Sequence, residues 1–188
     1  MPQYELTVRS GRIVTEDRVF VADIGVRAGR IAEIVDHGST TRRLAPGVVD
    51  IDARGLVVTP GGVDSHCHIE QKTSTGLTPC DDFYSASVAA LCGGTTTLVP
   101  FACQHRGGAR ISEVVREYRE ISAKSAADYA LHVIVSDPAA PHALTDLTEL
   151  FAGGYSSVKV YMTYDSLKLQ DGELLDVLDL CRRHGDRD

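Results

Sequence analysis

The sequence predicts an α/β fold in two parts: a small β-sandwich portion over residues 1–58 and a series of βα units over residues 59–188. Three observations carry this. Short alternating runs separated by glycine turns fill the first part, with no helical period. Beyond Pro60, strand-like runs return roughly every 30 residues, the length of one βα unit. Helical patterns lie between them, and two of these run directly into Gly-Gly pairs.

In order, Tyr4-Glu5-Leu6-Thr7-Val8 alternates, and Ser10-Gly11-Arg12 reads as a turn into Ile13-Val14-Thr15. Ala22 to Val26 alternates again, and Ala28-Gly29-Arg30 is a hairpin signal before Ile31 to Val35. Val48 to Asp52 and Leu56 to Val58 add two short strands. The later strands are expected near 62–68, 95–99, 129–135 and 157–162. Helices are expected over Asp82–Leu91, Ile111–Ala126 and Leu144–Phe151, and from Asp171 to His184-Gly185. Gly93-Gly94 and Gly153-Gly154 are placed to cap two of them. Near-apolar strands alternating with helices argue for a parallel sheet. Both a doubly wound sheet and a (β/α)8 barrel begin this way. A barrel needs ~250 residues and only about 130 follow the β segment, so a barrel here is half of one.

Composition narrows the function classes. The 188 residues are 43% hydrophobic and 24% charged, with net charge −7. Basic residues are scattered, which argues against a nucleic-acid groove or a polybasic membrane patch. No run approaches the ~18 apolar residues of a spanning helix, and Met1-Pro2-Gln3-Tyr4-Glu5 does not open a secretory signal. Five cysteines without paired spacing fit a reducing cytoplasm and no disulfide framework.

The chemistry-bearing residues sit at strand ends. Side chains alternate along a strand, so His66 and His68 share a face with Asp64, opposite Val63, Ser65 and Cys67. Imidazoles at i and i+2 suit one Zn2+-like ion; a merely hydrogen-bonded strand-end pair is the alternative. In Ser157-Val158-Lys159-Val160-Tyr161-Met162, Lys159 and Tyr161 share the face opposite Val158, Val160 and Met162. A lysine in an apolar parallel strand must be neutralised, paired or chemically altered. A neutral amine takes up CO2 to become a carbamate, an anionic oxygen ligand. The alternative is a lysine that snorkels outward or pairs with a carboxylate such as Asp64. His105, in the loop after the second barrel-type strand, and Asp137 are weaker pocket candidates. His132 reads as a satisfied core residue, His184 as a helix C-terminal cation, and the segment 70–80 as a mobile gating loop.

The stretches GLVVTPGGVDSHCHIE, CDDFYSASVAALCGGTTTLVPFACQHR, DYALHVIVSD and GYSSVKVYMTYDSLKLQDGELLDVLDLCRRHG closely resemble the dihydropyrimidinase/hydantoinase branch of the cyclic amidohydrolases. The resemblance covers the whole chain. It implies that the second part is the first four βα units of an incomplete metal-dependent-hydrolase (β/α)8 barrel. It also implies that His66 and His68 bind the more buried of two Zn2+ ions, and that a carboxylated Lys159 bridges both. By the same resemblance Tyr164 hydrogen-bonds the substrate carbonyl and stabilises the oxyanion. The implied reaction is hydrolytic opening of a dihydropyrimidine or 5-substituted hydantoin ring to an N-carbamoyl amino acid. The implied assembly is a homo-oligomer, a tetramer for the whole protein.

Two further metal histidines and a proton-shuttling aspartate of such enzymes belong to strands beyond residue 188. The chain is therefore expected to be a partial one, inactive alone. A non-catalytic relative that keeps the fold for assembly is the competing expectation.

Overall fold

The computed structural model describes residues 3–71 and 76–184. It divides between Pro60 and Gly61 into two compact units.

The first unit is one mixed five-stranded sheet. Strands β1 (Leu6–Val14), β2 (Val19–Arg27) and β3 (Arg30–Asp36) form an antiparallel meander, and β4 (Val49–Asp52) and β5 (Val57–Val58) both join β1 in parallel. The β2–β3 connection is a two-residue turn at Ala28 and Gly29, both at positive φ (54° and 69°), whose twist suits a hairpin. The expected turn at Ser10-Gly11-Arg12 is instead a bulge inside one continuous β1. Ser10 takes a left-handed φ of 59° and the register shifts between Val8 and Gly11.

The buried Asp23 explains this correction. Its carboxylate accepts the Ser10 N–H at 2.9 Å, the Leu44 N–H at 3.0 Å and the His37 Nε2 at 2.9 Å. Burial alone would raise its pKa, but the donors of Ser10, Leu44 and His37 hold it below the ordinary carboxylate value. Where a small sandwich portion was expected over 1–58, the described residues form this single mixed sheet.

The second unit is a curled parallel sheet, half-barrel in form, with its helices on one side. Its strands are β6 (Gly62–Cys67), β7 (Thr95–Cys103), β8 (Asp128–Tyr129), β9 (His132–Ile134) and β10 (Val158–Lys159). The order is β10-β9-β7-β6, with β8 also on β7. Helices α1 (Phe83–Cys92), α2 (Ile111–Ser122), α3 (Ala143–Ala152) and α4 (Asp171–His184) alternate with them.

Strand alternation sorts the side chains by face. Leu98, Ala102, Val133, Val135 and Val158 join one apolar core with Phe83 of α1, Val115 of α2, Leu147 of α3 and Val177 of α4. Phe101, Cys103 and Ile134 form a separate buried cluster with Tyr161. A doubly wound sheet would carry helices on both faces. Here all four lie on one, which decides between the two architectures the sequence left open.

Local chemistry sets the element ends. Asp82 accepts the Ser85 N–H at 2.8 Å in a capping box that starts α1. The expected glycine caps are found: Gly94 (φ +87°) and Gly154 (φ +98°) take the left-handed turn after α1 and α3, a conformation that side chains resist. Helix α2 stops four residues short of the expected Ala126. There the Ala126 N–H donates to Ser87 Oγ at 2.8 Å, so the chain leaves the helix to pair with α1. The strand expected over 157–162 is reduced to Val158–Lys159. Beyond it the Tyr161 carbonyl accepts the Leu169 N–H at 2.9 Å, so the chain pairs with the segment after it. Among the described residues no helix is long and apolar enough to cross a membrane.

Candidate metal centre

The buried ring of Phe101, on β7, organises the candidate site. On one side lie His66 at the end of β6 and His68 just beyond it, with ring centroids 4.9 and 5.0 Å from that of Phe101. On the other, His132 of β9 stacks at 5.2 Å. Lys159 of β10 extends over the ring with Nζ 4.0 Å from its centroid, a cation–π distance, and reaches to 3.3 Å from His66 Nε2. The two site histidines are 5.5 Å apart, centroid to centroid.

Three of the four residues singled out from the sequence are thus brought together: His66, His68 and Lys159. Lys159 is half-buried, and its partner is His66. The Asp64 carboxylate, the other partner considered for it, accepts the His66 N–H at 3.0 Å. The fourth residue, Tyr164, is exposed. Its ring stands edge-on to Tyr161 at 5.4 Å, and Tyr161 packs on the Phe101 cluster and lies 5.1 Å from Lys159 Nζ. Tyr164 therefore neighbours the centre through Tyr161.

The donors are of the right class for Zn2+, which takes imidazole nitrogen readily, and the two imidazoles stand 5.5 Å apart with Lys159 Nζ beside one of them. They fit one side of a metal site. The described residues contain no group of three His, Cys, Asp or Glu side chains able to hold a metal ion, so an oxygen donor from Lys159 would have to be made by carboxylation.

Several contributors were not singled out from the sequence. Phe101 is the floor. His132, read as a satisfied core residue, hydrogen-bonds Ser157 Oγ through Nδ1 and the Ser65 carbonyl through Nε2 at 3.0 Å, tying β9 to β10 and to β6. Gln71 Oε1 meets His68 Nδ1 at 2.5 Å. Glu70, at a left-handed φ of 49°, accepts the Phe83 N–H at 2.9 Å and pairs with Lys124 Nζ at 2.8 Å, anchoring the chain just past His68 to the start of α1. Alternation along β7 could have marked Phe101. The loop contacts leave no sequence signal.

The remaining candidates have other neighbours. His105 lines a cavity of about 400 Å3 with Cys80, Cys103 and Tyr118. Burial pushes the Cys103 thiol and the Tyr118 phenol upward in pKa. Asp137 accepts the Gly107 N–H at 3.0 Å and sits 3.8 Å from Arg106. His184 stacks on Phe151 at the end of α4. Within the expected gating loop, residues 72–75 lie outside the described residues.

No protein-family model matches the chain. Among curated proteins it is 38% identical over 182 residues to a D-hydantoinase of Rhizobium radiobacter, covering 96% of this chain and 38% of that protein. It is 33% identical over 192 residues to a dihydropyrimidinase of Rattus norvegicus, covering 98% of this chain and 36% of that protein. A solved D-hydantoinase structure superposes with a TM-score of 0.87 at 37% identity, over 96% of this chain and 38% of the other. The dihydropyrimidinase of Brevibacillus agri NCHU1002 gives 0.82 at 29% identity, over 95% of this chain and 38% of its own. The chain thus spans under two fifths of the length of the relatives it matches. It is a homologue of the dihydropyrimidinases and D-hydantoinases, corresponding to their N-terminal portion.

Proposed function

We propose that this chain is the N-terminal part of a zinc-dependent cyclic amidohydrolase that opens dihydropyrimidine or 5-substituted hydantoin rings to N-carbamoyl amino acids. The observation that carries the reading is the approach of Lys159 Nζ to 3.3 Å from His66 Nε2, with His68 beside them on the Phe101 ring. A structural lysine has no need to cross the sheet to an imidazole.

In this reading His66 and His68 hold Zn2+ through ring nitrogen. Lys159, once carboxylated by CO2 on its neutral amine, would supply the oxygen ligand of the zinc centre. When bound, zinc lowers the pKa of water and polarises a carbonyl. Hydrolysis adds the water oxygen to a ring carbonyl carbon, breaks the ring C–N bond and leaves the proton on the departing nitrogen. Tyr164 is the proposed donor to the oxyanion formed at that carbon, where a preorganised hydroxyl is most effective. Its position is set by a turn in which the Tyr164 carbonyl accepts the Leu167 and Lys168 N–H groups at 2.8 and 2.7 Å. Phe101 gives both imidazoles an apolar surface to pack against.

The domain reading belongs here too: residues 1–58 as part of a β-sandwich and residues 59–188 as the first half of a (β/α)8 barrel. Exposed Val19, Val21, Val49, Ile51 and Val57 on the N-terminal sheet support a facing layer. The remaining metal ligands and the shuttling aspartate would come from strands beyond residue 188. The reading includes a cytoplasmic, tetrameric whole protein, with no nucleic-acid or membrane partner.

The test supplies the protein with zinc and 13C-bicarbonate. Metal content, a carbamate 13C signal and ring opening of dihydrouracil and 5-substituted hydantoins are then measured. Rings left intact by a zinc-loaded whole protein would sink the reading. An unmodified Lys159 without zinc would favour the non-catalytic assembly role.

A further inference from the structure

We infer that Gln71 is a positioning residue for His68, fixing which imidazole nitrogen is free to bind a cation. The inference rests on the metal-site reading above for its purpose, but its physical core is a proton position that exists without metal.

A neutral imidazole carries one N–H and one lone pair, and the hydrogen bond made by one nitrogen decides the role of the other. His68 Nδ1 is 2.5 Å from Gln71 Oε1. An amide oxygen only accepts, so Nδ1 carries the proton and donates it. The lone pair is left on Nε2, the nitrogen remote from the backbone.

The backbone beneath is held independently. One residue earlier, Glu70 is tied to the Phe83 N–H at 2.9 Å and to Lys124 at 2.8 Å. Gln71 thus leaves a fixed point in the chain, three residues along from the imidazole it meets. His66 has no equivalent, because its Nε2 is approached by Lys159. Among the described residues, His68 is the one of the two histidines whose ring nitrogen meets a neutral side chain.

Groups behind a metal-binding histidine typically change metal affinity about 10- to 100-fold when removed. Gln71→Leu, of similar size, deletes the acceptor, while Gln71→Glu retains an acceptor oxygen at the same position. Gln71 is only half-buried, so both variants should fold.

The experiment has two readouts. The first is the tautomer of His68 in metal-free protein, from long-range 15N–1H correlations of 15N-histidine-labelled samples. The second is zinc affinity by competition with a chromophoric chelator. The expected result is Nδ1–H in the parent and in Gln71→Glu, and a mixture of tautomers in Gln71→Leu. Zinc affinity should fall about 10- to 100-fold in Gln71→Leu and be restored by Gln71→Glu. Nε2–H in the parent, or an unchanged tautomer and affinity in Gln71→Leu, overturns the inference. If the tautomer shifts as expected but neither protein binds zinc, the proton-positioning role stands and the metal-site reading fails.

Discussion

Lys159 Nζ stands 3.3 Å from His66 Nε2, although β10 and β6 occupy opposite edges of the four-strand order. Three inter-strand steps in a flat sheet would separate those backbones by about 14 Å. The sheet's curl and the length of the lysine close that gap together. Removing the amine removes the group that the proposed reading turns into an oxygen donor. On the proposed metal-site reading, zinc retention in Lys159→Ala should fall by more than the about 10- to 100-fold that outer contacts are worth. Metal analysis of the purified variant checks this, and zinc held at the parent's level would refute it.

Phe101 underlies His66, His68, His132 and Lys159 at once. Phe101→Ala should destabilise the protein by about 3–5 kcal/mol, the usual result for a buried aromatic. Phe101→Leu keeps most of the volume and removes the ring face against which the His66 and His68 imidazoles pack. That variant should fold yet hold zinc more weakly than the parent. Urea unfolding set beside chelator competition separates the two effects; equal zinc affinity in Phe101→Leu would show the ring to be a filler only.

Asp23 joins three chain segments through Ser10, Leu44 and His37. Because its pKa is held down in the folded state, its contribution is complete above the ordinary value of 3.8. It is lost as pH falls through the lower, folded-state value. Asp23→Asn removes the charge and should cost about 3 kcal/mol near neutrality. Its stability should also change less than the parent's below pH 3.8. Urea midpoints measured across acid pH decide this, and parallel curves for parent and variant would count against it.

Asp146 is fully buried and ties α3 to the start of α2. It pairs with the Arg110 guanidinium and accepts the Ser112 N–H at 3.2 Å and Oγ–H at 3.0 Å. Burial would raise its pKa, yet Arg110 and Ser112 hold it low. Arg110→Ala leaves the carboxylate buried without its cation, a change worth about 3 kcal/mol or more. It should also move acid unfolding to higher pH. Circular dichroism during acid titration reports it, and an unmoved acid midpoint would mean that Ser112 alone suffices.

Much of this fold can be read from the residues because it rests on short-range rules. Glycines 94 and 154 cap the helices they follow, and alternation places Phe101 and Lys159 on the face opposite Leu98 and Val158. The approach of Lys159 to His66 was legible only as two unusual residues on separate strands, since the curl that joins them is a property of the whole sheet. Ser10 misled for a related reason. A Ser-Gly pair marks a turn in isolation, but the distant carboxylate of Asp23 converts it into a bulge. Gln71 was invisible because its role depends on a rotamer and on a fixed neighbour, neither of which has a period or a motif.

The Glu70 clamp has one more consequence, for how such a protein changes over time. Glu70 fastens the chain two residues past His68 to Phe83 and Lys124, so the segment between Gln71 and Asp82 starts from an anchored base. Substitutions or length changes in that segment therefore begin beyond a point that is already fixed to α1 and to Lys124. A lineage, or an engineer, is then free to vary the chain beyond Glu70 while the anchor beneath stays put.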